Sequence, residues 1–172
     1  MLSKKKSGMT RAELLESKKA GVCMKICLAG SSGGHLAHLY MLKPFWAKHD
    51  RFWVTFDKKD ARSLLKDERM IPCYHPTNRS FKGLMFNTII AWRVLRKERP
   101  DLIISTGAAA AIPFFYVGKL LGAKTVYIEI FDRINFSTLS GRLAYLVADK
   151  FIVQWEDMKK IYPKAVNLGR IF

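Results

Sequence analysis

Six consecutive residues, Gly30-Ser31-Ser32-Gly33-Gly34-His35, carry the strongest chemical signal in the chain. They stand between an apolar run, Lys25–Ala29, and a segment with helical spacing through Leu36, Leu39, Tyr40 and Leu42. Glycines let backbone approach a ligand closely, and a helix that follows aims free N–H groups and a positive dipole end at it. That pattern points to phosphate binding; a tight turn whose glycines serve only packing is the plainer alternative. The spacing is G-x-x-G-G-H rather than the G-x-G-x-x-G of a dinucleotide site, although Asp57 falls where a ribose-binding acid would stand. No Lys-Ser/Thr pair follows the glycines, which excludes a Walker loop.

His35 sits where the turn becomes the helix. Its ordinary pKa near neutrality suits a general base, and contact with phosphate or helix capping is the simpler role. His38 follows three residues on, but two histidines without a third ligand make no metal site, and neither metal nor cofactor is expected. A second small-residue loop, Thr106-Gly107-Ala108-Ala109-Ala110, follows another apolar run and belongs beside the first; close helix–sheet packing is its alternative reading. Glu129 ends a third apolar run, a costly place for a carboxylate without a hydrogen-bond partner. Asp132 and Arg133 follow it, as ligand contacts or as a surface turn.

The elements that must position these residues alternate along the chain. Strands are expected at Lys25–Ala29, Arg51–Phe56, Met70–Tyr74, Asp101–Ser105, Thr125–Ile130 and Lys150–Gln154, with Pro72 weakening the third. Helices are expected at Leu36–Ala47, kinked or cut short by Pro44, then Lys58–Lys66, Phe81–Glu98, Pro113–Leu121, Leu139–Val147 and Asp157–Tyr162. Apolar strands with helices between them predict an α/β fold: a Rossmann-like, doubly wound parallel sheet covered on both faces.

The helical segment Leu84–Lys97 is unusual, because its polar residues Asn87, Thr88, Arg93, Arg96 and Lys97 do not share one face. One apolar side covers the sheet; the other needs a membrane interface, a lipid or a partner, unless the helix is simply more buried than average. Trp92 flanked by Arg93, Arg96 and Lys97 suits an interface.

The chain has 172 residues and carries +16, from 30 basic and 14 acidic side chains. This points to a polyanion, an anionic membrane surface or an acidic protein. Residues 1–23 hold six of the basic and two of the acidic residues, so the domain over 24–172 keeps +12. The first segment reads as a basic, weakly helical extension, with Thr10 and Glu13 at capping-box spacing, or as sequence upstream of a start at Met24. A nucleic-acid binder is the competing class, but no RRM, KH or helix-turn-helix signature accompanies the charge. Cys23, Cys27 and Cys73 read as reduced, buried thiols. The N-terminus has lysines but no apolar h-region, which argues against a cleaved secretory signal. The longest uncharged run, Leu102–Gly118, is too short for a spanning helix and interrupted by Gly107 and Pro113.

The runs AGSSGGHLAHLYMLKPF and STGAAAAIPFFYVGK, and YIEIFDR followed by GRLAYLVADKFIVQWEDMKKIYPKAVNLGRIF, resemble one family over Met24 to Phe172. It is the acceptor-side subunit of split GT-B glycosyltransferases, of the PssD/CpsF type found in capsule and exopolysaccharide synthesis. It is similar also to the membrane-recruiting subunit of the eukaryotic enzyme that adds the second N-acetylglucosamine to dolichol. The resemblance implies the N-terminal half of a GT-B enzyme such as MurG, with the UDP-sugar on a separate donor-binding catalytic subunit.

It further implies an accessory role in an inverting transferase, inactive or weakly active alone, in the capsular members a β-1,4-galactosyl transfer to a polyprenyl-diphosphate-linked sugar. Gly30, Ser31, Ser32, Gly33, Gly34 and His35 then face the acceptor's diphosphate and first sugar, and Thr106 and Gly107 form the neighbouring wall. His35 becomes the candidate base. Glu129 matches a glutamate after the fifth strand in single-chain relatives, with Ile130-Phe131 where those have Gln-Asn. The eukaryotic subunit carries a membrane-spanning helix, whereas residues 1–23 here are charged. Peripheral attachment to the cytoplasmic face of the cell membrane, through the basic surface and Trp92, Arg93, Arg96 and Lys97, is the expectation.

Overall fold

The computed structural model describes residues 23–77 and 80–171. The expected basic extension, its capping-box pair and the last residue of the terminal GRIF therefore lie outside the described residues. Seven parallel strands form one sheet in the order β3-β2-β1-β4-β5-β6-β7: β1 Lys25–Ala29, β2 Asp50–Phe56, β3 Met70–Cys73, β4 Leu102–Ser105, β5 Lys124–Ile128, β6 Lys150–Val153 and β7 Val166–Asn167. Helices α1 Gly34–Met41, α2 Lys43–Trp46, α3 Lys59–Leu64, α4 Phe81–Glu98, α5 Ile112–Leu120 and α6 Leu139–Tyr145 connect them.

The doubly wound architecture is visible in the first strand. Ile26 and Leu28 enter one core with Leu36, Leu39, Trp46 and Trp53. Cys27 and Ala29 enter another with Ala91, Leu95, Phe114 and Phe115. Alternate residues of a strand face opposite sides, so both faces are buried and the strand reads as apolar throughout. Pro72 fits because β3 is an edge strand, where a missing N–H breaks no ladder on the open side.

Three expectations are corrected, and one strand was not expected at all. The helix expected over Leu36–Ala47 is two, divided at Leu42, with Pro44 in the first turn of α2, where its missing N–H costs nothing. β5 stops at Ile128 rather than Ile130, although the Glu129 N–H still donates to Ile152 O at 2.9 Å. The last helix is a 3-10 turn over Glu156–Lys160, and the short edge strand β7 had no apolar run to announce it.

Helix α4 is anchored from within by polar groups. The buried Asn87 side chain accepts from Tyr74 N–H at 2.8 Å and donates to Tyr74 O at 3.1 Å. Ser80 caps the helix by accepting from Gly83 N–H at 3.0 Å. A side chain at Gly83 would meet Pro76 O at 2.6 Å, so only glycine lets the helix lie this close to the loop before it. At the far end Glu98 pairs with Lys25 at 2.7 Å and with Arg69, which holds its carboxyl down at about 2.

The sheet-facing line of α4 is Gly83, Asn87, Ala91, Leu95 and Glu98, whereas Phe81, Leu84, Met85, Phe86, Ile89 and Trp92 are exposed. The helix is not simply more buried than average: Leu95 enters the core, but these six large apolar side chains point away from it. Among the described residues no helix is long and apolar enough to cross a membrane.

Candidate functional site

The strand order reverses between β1 and β4, and the loops that leave their carboxyl ends flank a crevice there. His35 opens α1 on one side; Thr106 leaves β4 on the other. They are joined twice. His35 Nδ1 lies 2.9 Å from Thr106 O, and Thr106 Oγ1 donates to His35 O at 2.7 Å.

A carbonyl only accepts, so Nδ1 carries the proton of the neutral ring and Nε2 keeps its lone pair. Burial lowers the His35 pKa, and the Thr106 carbonyl pulls the other way more weakly. The result is an imidazole held neutral with a basic nitrogen, on a ring that lines the cleft. This is the protonation state a general base needs.

The second loop is built around that ring. A Cβ at Gly107 would lie 2.7 Å from His35 Cε1 and 3.1 Å from Tyr127 Oη, and Gly107 has φ of 125°. Its neighbour Ala108 holds φ of 78°, a strained conformation for a residue with a side chain. Both positions favour glycine; the strain at Ala108 sits directly on the cleft wall.

The glycine-rich turn is partly occupied by the protein itself. Gly33 N–H donates to Asp60 Oδ2 at 2.8 Å, and Gly30 N–H to Val54 O at 3.0 Å. By helix geometry the N–H groups of Gly34, His35 and Leu36 have no partner within α1. The groups this turn could offer an anion are thus those N–H groups and the hydroxyls of Ser31 and Ser32.

The cleft measures about 610 Å³ and is lined by Ser31, Ser32, His35, Phe56, Lys58, His75, Thr77, Ala108, Ala109, Leu139 and Ser140. The structure brings the two small-residue loops together, as their places after β1 and β4 suggested. Phe56, Lys58, His75, Thr77, Leu139 and Ser140 were missed. Phe56 ends β2, and Lys58, His75 and Thr77 follow β2 and β3, so the rule that ligands collect at strand carboxyl ends could have found them.

Glu129 does not line this cleft. It is 2% exposed, with Oε2 unpartnered among the described residues, and burial raises its carboxyl to about 7. A Cβ at Gly141 would lie 2.7 Å from Glu129 Oε2 and 2.6 Å from Tyr162 Oη, so the carboxyl is wedged under the start of α6. Trp92, Arg93, Arg96 and Lys97 also stand apart, on the outer side of α4, where the Arg96 guanidinium lies 5.4 Å from the centre of the Trp92 ring.

Gln154 explains the QW pair. Its amide donates to Glu129 O at 3.0 Å and its oxygen accepts from Ile171 N–H at 2.9 Å, pinning the C-terminal segment to the end of β5. Trp155 donates to Phe131 O and is covered by Arg170. Among the described residues no three His, Cys, Asp or Glu side chains gather as a metal site.

Residues 25–171 match the family described as oligosaccharide biosynthesis protein Alg14 like. The human UDP-N-acetylglucosamine transferase subunit ALG14 is 31% identical over 111 residues, covering 59% of this chain and 51% of that one. Its Candida albicans counterpart is 29% identical over 171 residues, covering 86% and 77%. The chain spans about half the length of the first of these relatives. Among solved structures, Acinetobacter baumannii MurG superposes with a TM-score of 0.66 at 14% identity, over 78% of this chain and 42% of that one. UDP-GlcNAc 2-epimerase from Methanocaldococcus jannaschii gives 0.67 at 16% identity, over 86% and 46%. These likenesses show the fold: a Rossmann-like sheet matching the N-terminal half of a GT-B enzyme.

Proposed function

Since the chain belongs to the Alg14-like family of oligosaccharide biosynthesis proteins, we propose that it is the acceptor-side, accessory subunit of a two-component UDP-sugar glycosyltransferase. A separate donor-binding subunit holds the UDP-sugar. This chain recruits that subunit to the membrane and presents a polyprenyl-diphosphate-linked sugar to it. In this reading His35 Nε2 takes the proton of the acceptor hydroxyl as its oxygen attacks the anomeric carbon. UDP leaves with the bonding pair, and the anomeric configuration inverts. Gly30, Ser31, Ser32, Gly33, Gly34, Thr106 and Gly107 shape the acceptor's place.

The observation that carries the proposal is the continuity of cleft and helix. His75 and Thr77 line the cleft, Pro76 and Thr77 pack directly against Gly83 in the first turn of α4, and Phe81 at the start of that helix is 77% exposed. A polar cleft with an apolar helix at its mouth suits a ligand that is polar at one end and lipid at the other. Each large side chain on α4 contributes about 1 kcal/mol on partial burial in the interface, and the arginines beyond Trp92 meet anionic headgroups. In this reading attachment through α4 is peripheral, and the expected side is the cytoplasmic face.

The relatives named above are N-acetylglucosamine transferase subunits, which favours that sugar as the one transferred. The capsular, galactosyl reading draws no support from them. Glu129, outside the cleft lining, acts in this account by filling the space under the start of α6 rather than by touching substrate. The test is to isolate the membrane complex through a tag on this chain and offer it UDP-N-acetylglucosamine and UDP-galactose in turn. Transfer from the first to endogenous lipid, with a second glycosyltransferase chain in the complex, is expected. Transfer only from UDP-galactose would restore the capsular reading, and a complex without a nucleotide-sugar-binding chain would sink the proposal.

A further inference from the structure

The acceptor-side reading leaves open how the cleft divides between sugar and diphosphate, and charge pairing around β2 decides it. Four charged residues follow that strand, Asp57, Lys58, Lys59 and Asp60, and of the two lysines only Lys58 lines the cleft. Asp57 is held by Arg62 in a two-pronged pair at 2.5 and 2.7 Å. Asp60 accepts from Gly33 N–H at 2.8 Å. Lys58 is left with no carboxylate partner among the described residues, and it lines the cleft.

Its position is fixed from below by Phe56, a buried ring at the end of β2. Lys58 Nζ lies 5.7 Å from the Phe56 centroid, and the His75 ring packs edge-on against the same ring at 4.8 Å. One aromatic platform therefore carries a cation and an imidazole from two different loops. The opposite side of the cleft has His35 with Ala108 and Ala109, which offer no charge. The cleft is thus electrostatically lopsided.

From this geometry we infer that Lys58 and His75, seated on Phe56, form the diphosphate-binding wall of the cleft. The glycine-rich turn lends Ser31 and Ser32, and the sugar lies toward His35. A lysine is a point-charge donor that accepts several phosphate geometries, and an uncompensated cation in a cleft attracts the ligand's most charged segment. The Gly33 N–H, already donated to Asp60, is not part of this wall. The inference rests on the acceptor-side reading for the identity of the diphosphate, because the same chemistry occurs in UDP.

The test uses the full chain and isothermal titration with farnesyl diphosphate, with farnesol and UDP in parallel arms. Wild type is expected to bind farnesyl diphosphate and neither control. Lys58→Met is expected to weaken that binding about tenfold, and His75→Gln to weaken it in the same direction. Lys59→Met, which removes an equal charge from α3 outside the cleft lining, is expected to leave it within about twofold. Unfolding curves confirm that each variant is folded. Equal affinity in wild type and a folded Lys58→Met variant would overturn the inference while leaving the acceptor reading in place. Lys58-dependent binding of UDP as tight as that of farnesyl diphosphate would keep the wall and overturn the acceptor reading.

Discussion

The imidazole of His35 and the carbonyl of Thr106 meet at 2.9 Å across the point where the strand order reverses. Because the carbonyl only accepts, this contact fixes which ring nitrogen is basic. Burial keeps that nitrogen unprotonated at neutral pH by lowering the His35 pKa below its ordinary 6.5.

The first consequence is a pH profile. A base must be unprotonated, so transfer by the assembled complex should be flat above neutrality and fall as pH drops through a midpoint below 6.5. His35→Gln should lower turnover by about 10²- to 10⁴-fold and remove the acid limb, with the complex still assembled. A mutant that kept the limb would assign it to another group.

Gly107→Ala probes the same ring from the other side. The new methyl would lie 2.7 Å from His35 Cε1, at a φ that side chains avoid. We expect a loss of roughly 2 kcal/mol in stability and a fall in kcat larger than the change in KM. Wild-type kcat with a lowered melting temperature would show that the loop supports the fold but not the position of His35.

Glu129 predicts a pH dependence of stability with the opposite sign to the usual acid. Its folded value of about 7 lies above the ordinary 4.5, so the folded state binds more protons in between. Its contribution is therefore full below about 4.5 and is lost as pH rises through 7, amounting to about 3 kcal/mol. Glu129→Gln should remove this slope: the variant gains on wild type as pH rises, read as the difference between two denaturant midpoints. Parallel curves from pH 5 to about 8 would mean the carboxyl is ionised throughout.

On α4, Met85→Glu with Trp92→Glu should release the protein from anionic vesicles at any salt, because it removes apolar burial. Replacing Arg93, Arg96 and Lys97 by glutamine should weaken binding about 100-fold at low salt, near 1 kcal/mol per charge removed, and less at high salt. Unchanged co-sedimentation of both variants would move the membrane contact elsewhere.

The alternation of apolar strands with helices was legible because a sheet buried on both faces leaves unbroken apolar runs, as in Lys25–Ala29 and Leu102–Ser105. The two small-residue loops were legible for a related reason: tight turns and close approaches admit few residue types. The outward apolar side of α4 could be suspected from its pattern, but the buried line of Gly83, Asn87 and Ala91 appears only when the sheet is placed against it. Lys58 and His75 were missed because a lone lysine or histidine after a strand has no pattern of its own, and only their place at strand carboxyl ends could have pointed to them. They matter through Phe56 and through the pairing of Asp57 and Asp60 with other groups. Likewise Gln154 holds together Glu129 and Ile171, residues far apart in the chain.

The most direct measurement is transfer of labelled N-acetylglucosamine from its UDP form to a polyprenyl-diphosphate-linked sugar in vesicles. It compares this chain alone, the co-purified partner alone, the two together, and the two together with His35→Gln. The account predicts transfer only from the wild-type pair, with the His35→Gln pair reduced by at least about 100-fold. Full turnover by either chain alone, or wild-type turnover with His35→Gln, would contradict it.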